Sequence, residues 1–578
     1  MRNSVLRRTA LAALISLAGL LPLHPAGAGE SVEPLVGHTF SGNYLAGRLA
    51  YSVKDTVAAA TFFRSALSLD DSTALYDDTL RLEMEAGHEE QAAALAQRMI
   101  KNDQTNRLAR VVLAVRAMRS RQYGEVRKHL AETSGNPLAD LTAGLVTAWT
   151  YAGARDAKGV AAAIDAIAEN GSNDIAKLKA YHAGLIAEML GDRQKAEAQY
   201  AKAYDPENKV LRVAQAYARA LMANGKAEAA RGILNGFSEV VPSHPLIEQA
   251  LASVAAGRVP QSDILTAQDG AAEVFYGLGA ALGHDAADGL GMIYLQLSMM
   301  LKPEFPLALL TLANYLEGNE DYERAIEVYD RVPPASALAY SVAIARARDL
   351  ADLDRVDEAV DALKKLSSAE PDKREAAVAL GDVLRDAERF GEAAVAYSTA
   401  IDRAAPIDRG SWVLFYFRGM SYERAKDWPK AEADLEKALE LEPDHPFVLN
   451  YLGYSWVDQG LHLDKALKMI EKAVELRPND GYIVDSLGWA YYRLGRWEEA
   501  VTQLERAVQL RPQDPILNDH LGDAYWRAGR RVEARFQWNH ARDLDPDADT
   551  LAAILKKIEA GLPDDPGATR AAKNGDGK

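Results

Sequence analysis

Cysteine is absent from all 578 residues. That single absence removes disulfides, thiol nucleophiles, zinc–thiolate sites and a lipid-modified N-terminal cysteine. Basic charge is also scarce: 66 Lys and Arg face 83 Asp and Glu, for a net charge of −17. Such a chain is a poor match for nucleic-acid phosphates or anionic lipid. The apolar run Ala10 to Leu21 falls short of the ~20 residues needed to cross a bilayer as a helix. What is present, 48% hydrophobic and 26% charged residues, is the mixture of a soluble, core-forming protein. Its length is several times the roughly 100–200 residues of one ordinary domain, so the chain must divide or repeat.

The N-terminus reads as an export signal. Arg2, Arg7 and Arg8 precede the apolar run, and Pro22, Pro25 and the small-residue site Ala26-Gly27-Ala28 follow it. This is the order of charged region, apolar region and cleavage site in a secretory signal peptide over 1–28, with Gly29 as the expected mature start. Ordinary secretion is the expected route, and Arg7-Arg8 leaves twin-arginine export open.

Three ladders run through the C-terminal third. Gly419, Gly453, Gly488 and Gly522 are 34, 35 and 34 residues apart; Pro443, Pro478, Pro512 and Pro546 are 35, 34 and 34 apart; Ala431, Ala466, Ala500 and Ala534 make the third. A shared period of this length is the mark of a repeat architecture. Within one unit Val484 to Leu494 has the spacing of a first helix, Gly495-Arg496 stops it, and Glu498 to Leu510 is a second. A glycine inside a helix costs about 1 kcal/mol relative to alanine, and close approach of two helices is the compensation expected. The prolines end the second helices and set the turn to the next unit. Leu452, Leu487 and Leu521, with Trp456, Tyr491 and Tyr525, are expected to fill the space between.

The pattern carried by Leu487-Gly488, Tyr491, Ala500, Ala507 and Pro512 resembles the tetratricopeptide repeat. The resemblance implies an all-α, right-handed superhelical solenoid of helix-turn-helix repeats, strictest over 412–548. Weaker copies near 306, 340 and 374 keep Ala325 with Tyr329, Ala359 with Pro371, and Gly381 with Ala393 and Tyr397. The phase then slips by four around Ala405-Pro406. Further back, copies near 40, 74, 177 and 211 keep Ala59 with Phe63, Ala93, Gly184 with Ala196 and Tyr200, and Ala230. The expected organisation is a degenerate array over 29–255, a joint at 256–270, a C-terminal array over 271–549, a capping helix at 550–562 and a disordered tail from 563. Some 13 to 15 repeats would stack along it.

No catalytic constellation emerges. Gly277-Leu278-Gly279 with Gly283 has the wrong spacing for a phosphate loop and no following Lys-Ser/Thr. Gly453-Tyr454-Ser455-Trp456 lacks the closing glycine of a nucleophile elbow, and His88-Glu89-Glu90 lacks the second histidine of a zinc protease. His520 and His540 read as structural or exposed. The expectation is a non-enzyme without cofactor or metal, and the function expected of a solenoid is binding on its long concave face.

The resemblance assigns that face to fixed positions of each first helix: Tyr416, Met420 and Arg424; Asn450, Tyr454 and Asp458; Tyr482, Asp485, Trp489, Tyr492 and Arg493; and Asp519, Asp523, Trp526 and Arg527. Exposed Trp, Tyr and Arg are the types that dominate binding energy at interfaces. The three aspartates at 485, 519 and 523 depart from the Lys, Asn and Arg set that clamps a terminal carboxylate. A closer resemblance lies in "LNYLGYSWVDQG" at 449–460, "DSLGWAYYRLG" at 485–495 and "HLGDAYWRAGR" at 520–530. These segments resemble a bacterial envelope family of long tetratricopeptide proteins that includes adaptors of carboxyl-terminal processing proteases, which present cell-wall hydrolases for degradation. That implies a periplasmic adaptor or scaffold, peripheral to the outer membrane, with protein partners, no nucleic acid and no integral membrane segment after cleavage. A structural subunit of an envelope assembly or polysaccharide-export complex is the alternative.

Overall fold

In the computed structural model, residues 36–102, 106–133, 135–169, 171–283, 289–404 and 406–563 are described. The signal peptide at 1–28, the slip point at Ala405 and the tail from 564 lie outside them. Among the described residues there are 30 α-helices, two short 3₁₀ turns and no strand. None of these helices is long and apolar enough to cross a membrane. The chain divides into two compact units between Pro303 and Glu304.

The first unit contains six consecutive helix pairs: Phe40–Ser52 with Thr56–Leu69, Tyr76–Glu85 with Glu89–Asn102, Arg107–Arg119 with Tyr123–Ala131, Pro137–Gly153 with Ala157–Asp165, Asn173–Met189 with Arg193–Ala203, and Leu211–Ala223 with Ala227–Ser238. A lone helix, Pro245–Ala255, follows them. The expected joint at 256–270 is a helix-free connector from Ala256 to Thr266, inside this unit. Two apolar helices, Ala267–Leu282 and Leu290–Leu301, then turn back on the array. The former packs against Pro137–Gly153 and Asn173–Met189, and the latter against Tyr76–Glu85 and Arg107–Arg119, all of them first helices of their pairs. The inner face of this unit is thus filled by its own chain.

Polar groups fix that plug in place. Tyr181 Oη donates to Glu273 Oε1 at 2.7 Å, Arg212 grips both oxygens of the same carboxylate at 2.8 Å, and Thr142 Oγ1 meets Tyr294 Oη at 3.0 Å. Gly270 lies so close over the Trp149 ring that no side chain fits there. Trp149 Nε1 donates to His182 Nδ1 at 3.2 Å, and burial pushes His182 down to about 4, so that imidazole is neutral.

The second unit is the more regular array. Its seven pairs are Pro306–Glu317 with Tyr322–Tyr329, Ala339–Asp352 with Val356–Ala369, Glu375–Asp386 with Phe390–Asp402, Trp412–Arg424 with Trp428–Leu441, Pro446–Gln459 with Leu463–Leu476, Gly481–Arg493 with Trp497–Leu510, and Pro515–Arg527 with Arg531–Asp543. Helix Ala548–Ala560 closes it. Each helix packs on its neighbours in sequence, and first helices also touch across repeats, as Pro446–Gln459 does with Gly481–Arg493. Local chemistry starts and stops the elements. Pro446 and Pro515 occupy first-turn positions, where a missing N–H costs nothing, and Asp480 and Asp514 cap their helices by accepting two backbone N–H groups each. Gly460, Gly495 and Gly529 make the sharp turns between paired helices with φ of 72°, 74° and 81°.

The glycine ladder makes the expected close approach, with one refinement. A Cβ on Gly453 would lie 2.8 Å from Ile470 Cγ1 and 3.1 Å from the Ala466 carbonyl; one on Gly488 would lie 2.5 Å from Leu504 Cγ. The main contact is therefore the side chain one turn beyond each ladder alanine, while the alanines, all fully buried, let the backbones approach. Between repeats, Trp456, Tyr491 and Tyr525 each pack with the polar end donating to a glutamate of the preceding second helix, Glu432, Glu471 and Glu505.

Candidate partner-binding surface

All fifteen expected concave-face residues fall on the first helices of four consecutive repeats in the second unit. They do not form one uniform surface. Tyr416 packs edge-on against Tyr451 at 5.9 Å, Met420 is half-buried, and Arg424 is exposed with its guanidinium 4.6 Å from the centre of the Phe390 ring. Asp458 is exposed and is bound by Arg493, which donates to its carboxylate at 3.2 Å and its carbonyl at 3.0 Å.

The middle of the set forms a groove of about 210 Å³. Asn450, Tyr454, Tyr482 and Asp485 line it together with Tyr451, Ser486, Asp514, Ile516, Leu517 and His520. Its rim is apolar and accessible, with Tyr482 49% and Ile516 48% exposed. Its floor is polar. Asn450 Oδ1 is buried without a hydrogen-bond partner, and burial together with Asp485 and Asp458 pushes the Tyr454 hydroxyl up to about 12. Asp485 itself is buried and faces His520, whose Nδ1 sits 3.0 and 3.1 Å from its two oxygens. Burial alone would lower the His520 pKa, but Asp485, with Asp523 and Asp519, raises it overall.

His520 also supports the aromatic wall. Trp489 is stacked between Tyr492, at 4.6 Å and 9°, and His520, at 4.2 Å and 20°. Its indole N–H is buried with no acceptor. Sequence reasoning missed His520, Ile516 and Asp514 as groove residues. Their signal lies in register: Asp485 and Asp519 are equivalent positions 34 apart, and His520 is adjacent to the second, so it faces the preceding repeat.

The last four expected positions are occupied by the protein's own terminus. Lys557 on helix Ala548–Ala560 reaches Asp519 at 2.6 Å and Asp523 at 2.8 Å, and the indole N–H of Trp538 donates to Asp523 at 2.9 Å. Gly561 is seated against the Trp526 ring, and Arg527 donates to the Pro563 carbonyl at 2.8 Å. Asp519, Asp523, Trp526 and Arg527 therefore hold the closing helix, and the open part of the face runs from Asn450 to His520.

Family models for the tetratricopeptide repeat match residues 344–407 and 412–445, and one described as TPR repeat matches 488–529. Over these segments the chain carries tetratricopeptide repeats. Those three segments lie in the second unit, and the last of them holds Asp514, Ile516, Leu517 and His520 of the groove. No curated protein matches the chain. Among solved structures it is similar to the APC/C hetero-tetramer Cut9–Hcn1, at 12% identity over 91% of this chain and 96% of that one, with a TM-score of 0.36. It is also similar to yeast Tom70, at 12% over 92% and 99% with a TM-score of 0.35, and to a tetratricopeptide repeat protein from Parabacteroides merdae, at 16% over 43% and 97% with a TM-score of 0.36. Tetratricopeptide arrays are scaffolds for protein–protein interaction.

Proposed function

We propose that this protein is a non-catalytic adaptor of the periplasm, which holds an envelope processing protease and its client proteins, cell-wall hydrolases among them, on one solenoid. The observation that carries the binding part is the groove from Asn450 to His520, where exposed Tyr482 and Ile516 flank a floor with an unanswered amide oxygen. Such a surface suits an extended segment of a protein partner: apolar walls supply area, and one or two polar groups fix register. The protease and envelope assignments rest on the resemblance of 449–460, 485–495 and 520–530 and on the export signal at 1–28. Bridging needs no chemistry from the adaptor, because holding two partners together raises their effective concentration. The net charge of −17 would speed encounter with basic partners.

The test is degradation of a purified cell-wall hydrolase by a carboxyl-terminal processing protease, with and without the full mature chain. The proposal expects faster degradation with wild type and a loss of that gain with Tyr482→Ala/Asn450→Ala. Degradation unchanged by the chain would remove the adaptor reading. Acceleration that survives the double substitution would remove the groove from it.

A further inference from the structure

The last repeat carries the most exposed aromatic ring among the described residues. Phe536 is 69% accessible, and Val532, one turn before it on the same face of helix Arg531–Asp543, is 82% accessible. Beside them run Arg531 and Arg535, again one turn apart and exposed, with their guanidinium groups 5.1 and 5.7 Å from the centre of the Trp526 ring. Their neighbours Arg530 and Arg542 are answered by Glu505, Glu533 and Asp543. Among the described residues no carboxylate pairs with Arg531 or Arg535. An apolar knob flanked by two such arginines has the composition of an interface anchor.

A hole of matching character opens elsewhere in the same unit. Between the second helices Trp428–Leu441 and Leu463–Leu476 lies a cleft of about 350 Å³. Leu449 and Leu452 of the first helix Pro446–Gln459 make its buried floor, and the half-buried Leu439 and Met469 make its walls. A cavity of about 150 Å³ is enough to take benzene, so this cleft has room for a phenyl ring and an isopropyl group together. Glu436 and Glu440, one turn apart, stand exposed on one rim and Lys465 on the other. The two carboxylates hold only surface ion pairs, Glu436 with Lys465 at 3.3 Å and Glu440 with Lys437 at 2.9 Å. Pairs of that kind are worth under about 1 kcal/mol and exchange readily.

We propose that Val532 and Phe536 of one copy of this chain seat in the cleft lined by Leu439, Leu449, Leu452 and Met469 of a second copy. The apolar pair meets an apolar hole, and Arg531 and Arg535 share the one-turn spacing of Glu436 and Glu440, so two charge pairs form side by side. Arginine's planar fork takes a carboxylate with two hydrogen bonds where a lysine offers a point charge, which lets it displace Lys437 and Lys465. One molecule cannot make this contact with itself, because the repeat Gly481–Leu510 stands between cleft and knob in a continuous stack. The contact is therefore heterologous: each copy keeps one free cleft and one free knob, and association continues head to tail. None of the residues lining the groove at 450–520 takes part, so failure of this proposal would leave that reading untouched.

The test is sedimentation velocity of the full mature chain from low to high micromolar concentration at physiological salt. Wild type should grow past a dimer as concentration rises, and Val532→Ser/Phe536→Ser should weaken that association about ten-fold or more. Arg531→Glu/Arg535→Glu and Glu436→Arg/Glu440→Arg should each weaken it about ten-fold or more alone, because like charges then meet. An equimolar mixture of these two should return to within about three-fold of wild type, since every contact between unlike copies again pairs opposite charges. All the changed side chains are exposed, so each variant should keep the wild-type helical circular dichroism. A wild type that stays monomeric throughout, or a mixture no better than its components, would overturn the proposal. Growth that stops at a dimer and survives Glu436→Arg/Glu440→Arg would mean that knob packs on knob, and would overturn it as well.

Discussion

Gly522→Ala tests the close packing of the glycine ladder. The added methyl would lie 2.5 Å from both Cδ1 and Nε1 of Trp538 and 3.1 Å from its Cγ. Trp538 is fully buried and cannot swing aside cheaply, because its indole N–H is bound to Asp523, which Lys557 also holds. Overpacking of this kind costs about 1–3 kcal/mol. Replacing a mid-helix glycine with alanine returns about 1 kcal/mol. The strain wins if the ring holds its place, for a net loss of up to about 2 kcal/mol, and breaking the indole bond would add to it. Gly391→Ala in the same unit is the matched control: nothing lies within 4 Å of its Cβ, and it should stabilise by up to about 1 kcal/mol. Seven of the eight tryptophans lie between 412 and 538, so urea unfolding followed by tryptophan fluorescence reports on the array directly, with circular dichroism covering the repeat of Gly391. Gly522→Ala at least as stable as wild type would refute the claim that ladder glycines are required by close approach.

Three further substitutions test the electrostatics by thermal melting. Lys557→Met leaves Asp519 and Asp523 without a counter-charge, with only the Trp538 indole on Asp523, and should destabilise the last repeat by up to about 3 kcal/mol; adding Asp519→Asn/Asp523→Asn should restore most of it. His520 has its pKa raised in the folded chain, so its stabilisation is complete below the ordinary histidine value and lost as pH rises through the folded one. His520→Gln should therefore lose less melting temperature than wild type between about pH 6 and about pH 9. Asp349 binds its proton more tightly folded than unfolded, so it lowers stability as pH climbs from the ordinary carboxylate range toward about 8; Asp349→Asn should flatten that slope over the same pH range.

Much of this architecture was legible because its constraints recur at fixed spacing. Gly460, Gly495 and Gly529 mark the turns of the last three pairs. Upstream the same left-handed turn is made by Lys426, Glu388, Asp354 and Glu320, so the geometry continues where the glycine signal stops. In the first unit the turn falls on Lys54, Gly87, Arg121, Arg155, Gly191 and Gly225. The two arginines are the turns of the pairs Arg107–Ala131 and Pro137–Asp165, which the sequence did not reveal. The gap from Gly87 to Gly191 is three repeats long and could have exposed them.

From the sequence, the apolar hairpin over 267–301 was divided between the joint and the C-terminal array and could not be seen as a plug, since its partners Tyr181, Arg212 and Thr142 are distant in sequence and carry no periodic mark. At the candidate surface the register of each first helix put the fifteen positions on four consecutive first helices. It could not show that Lys557 returns to cover Asp519 and Asp523, because that contact depends on where a single terminal helix docks. Nor could it separate exposed Tyr482 from buried Asp485, three positions away on the same helix.

The most direct test of the binding surface is a photo-crosslinking side chain placed in the intact cell at position 482 and, separately, at position 536. Both sites are exposed, Tyr482 at the groove rim and Phe536 on a second helix away from it, with 49% and 69% of their surfaces accessible. The account predicts protein adducts from 482, weakened by Asn450→Ala, and none of the same species from 536. Adducts from 536 alone, or identical products from both, would contradict the claim that the groove from Asn450 to His520 receives the partner.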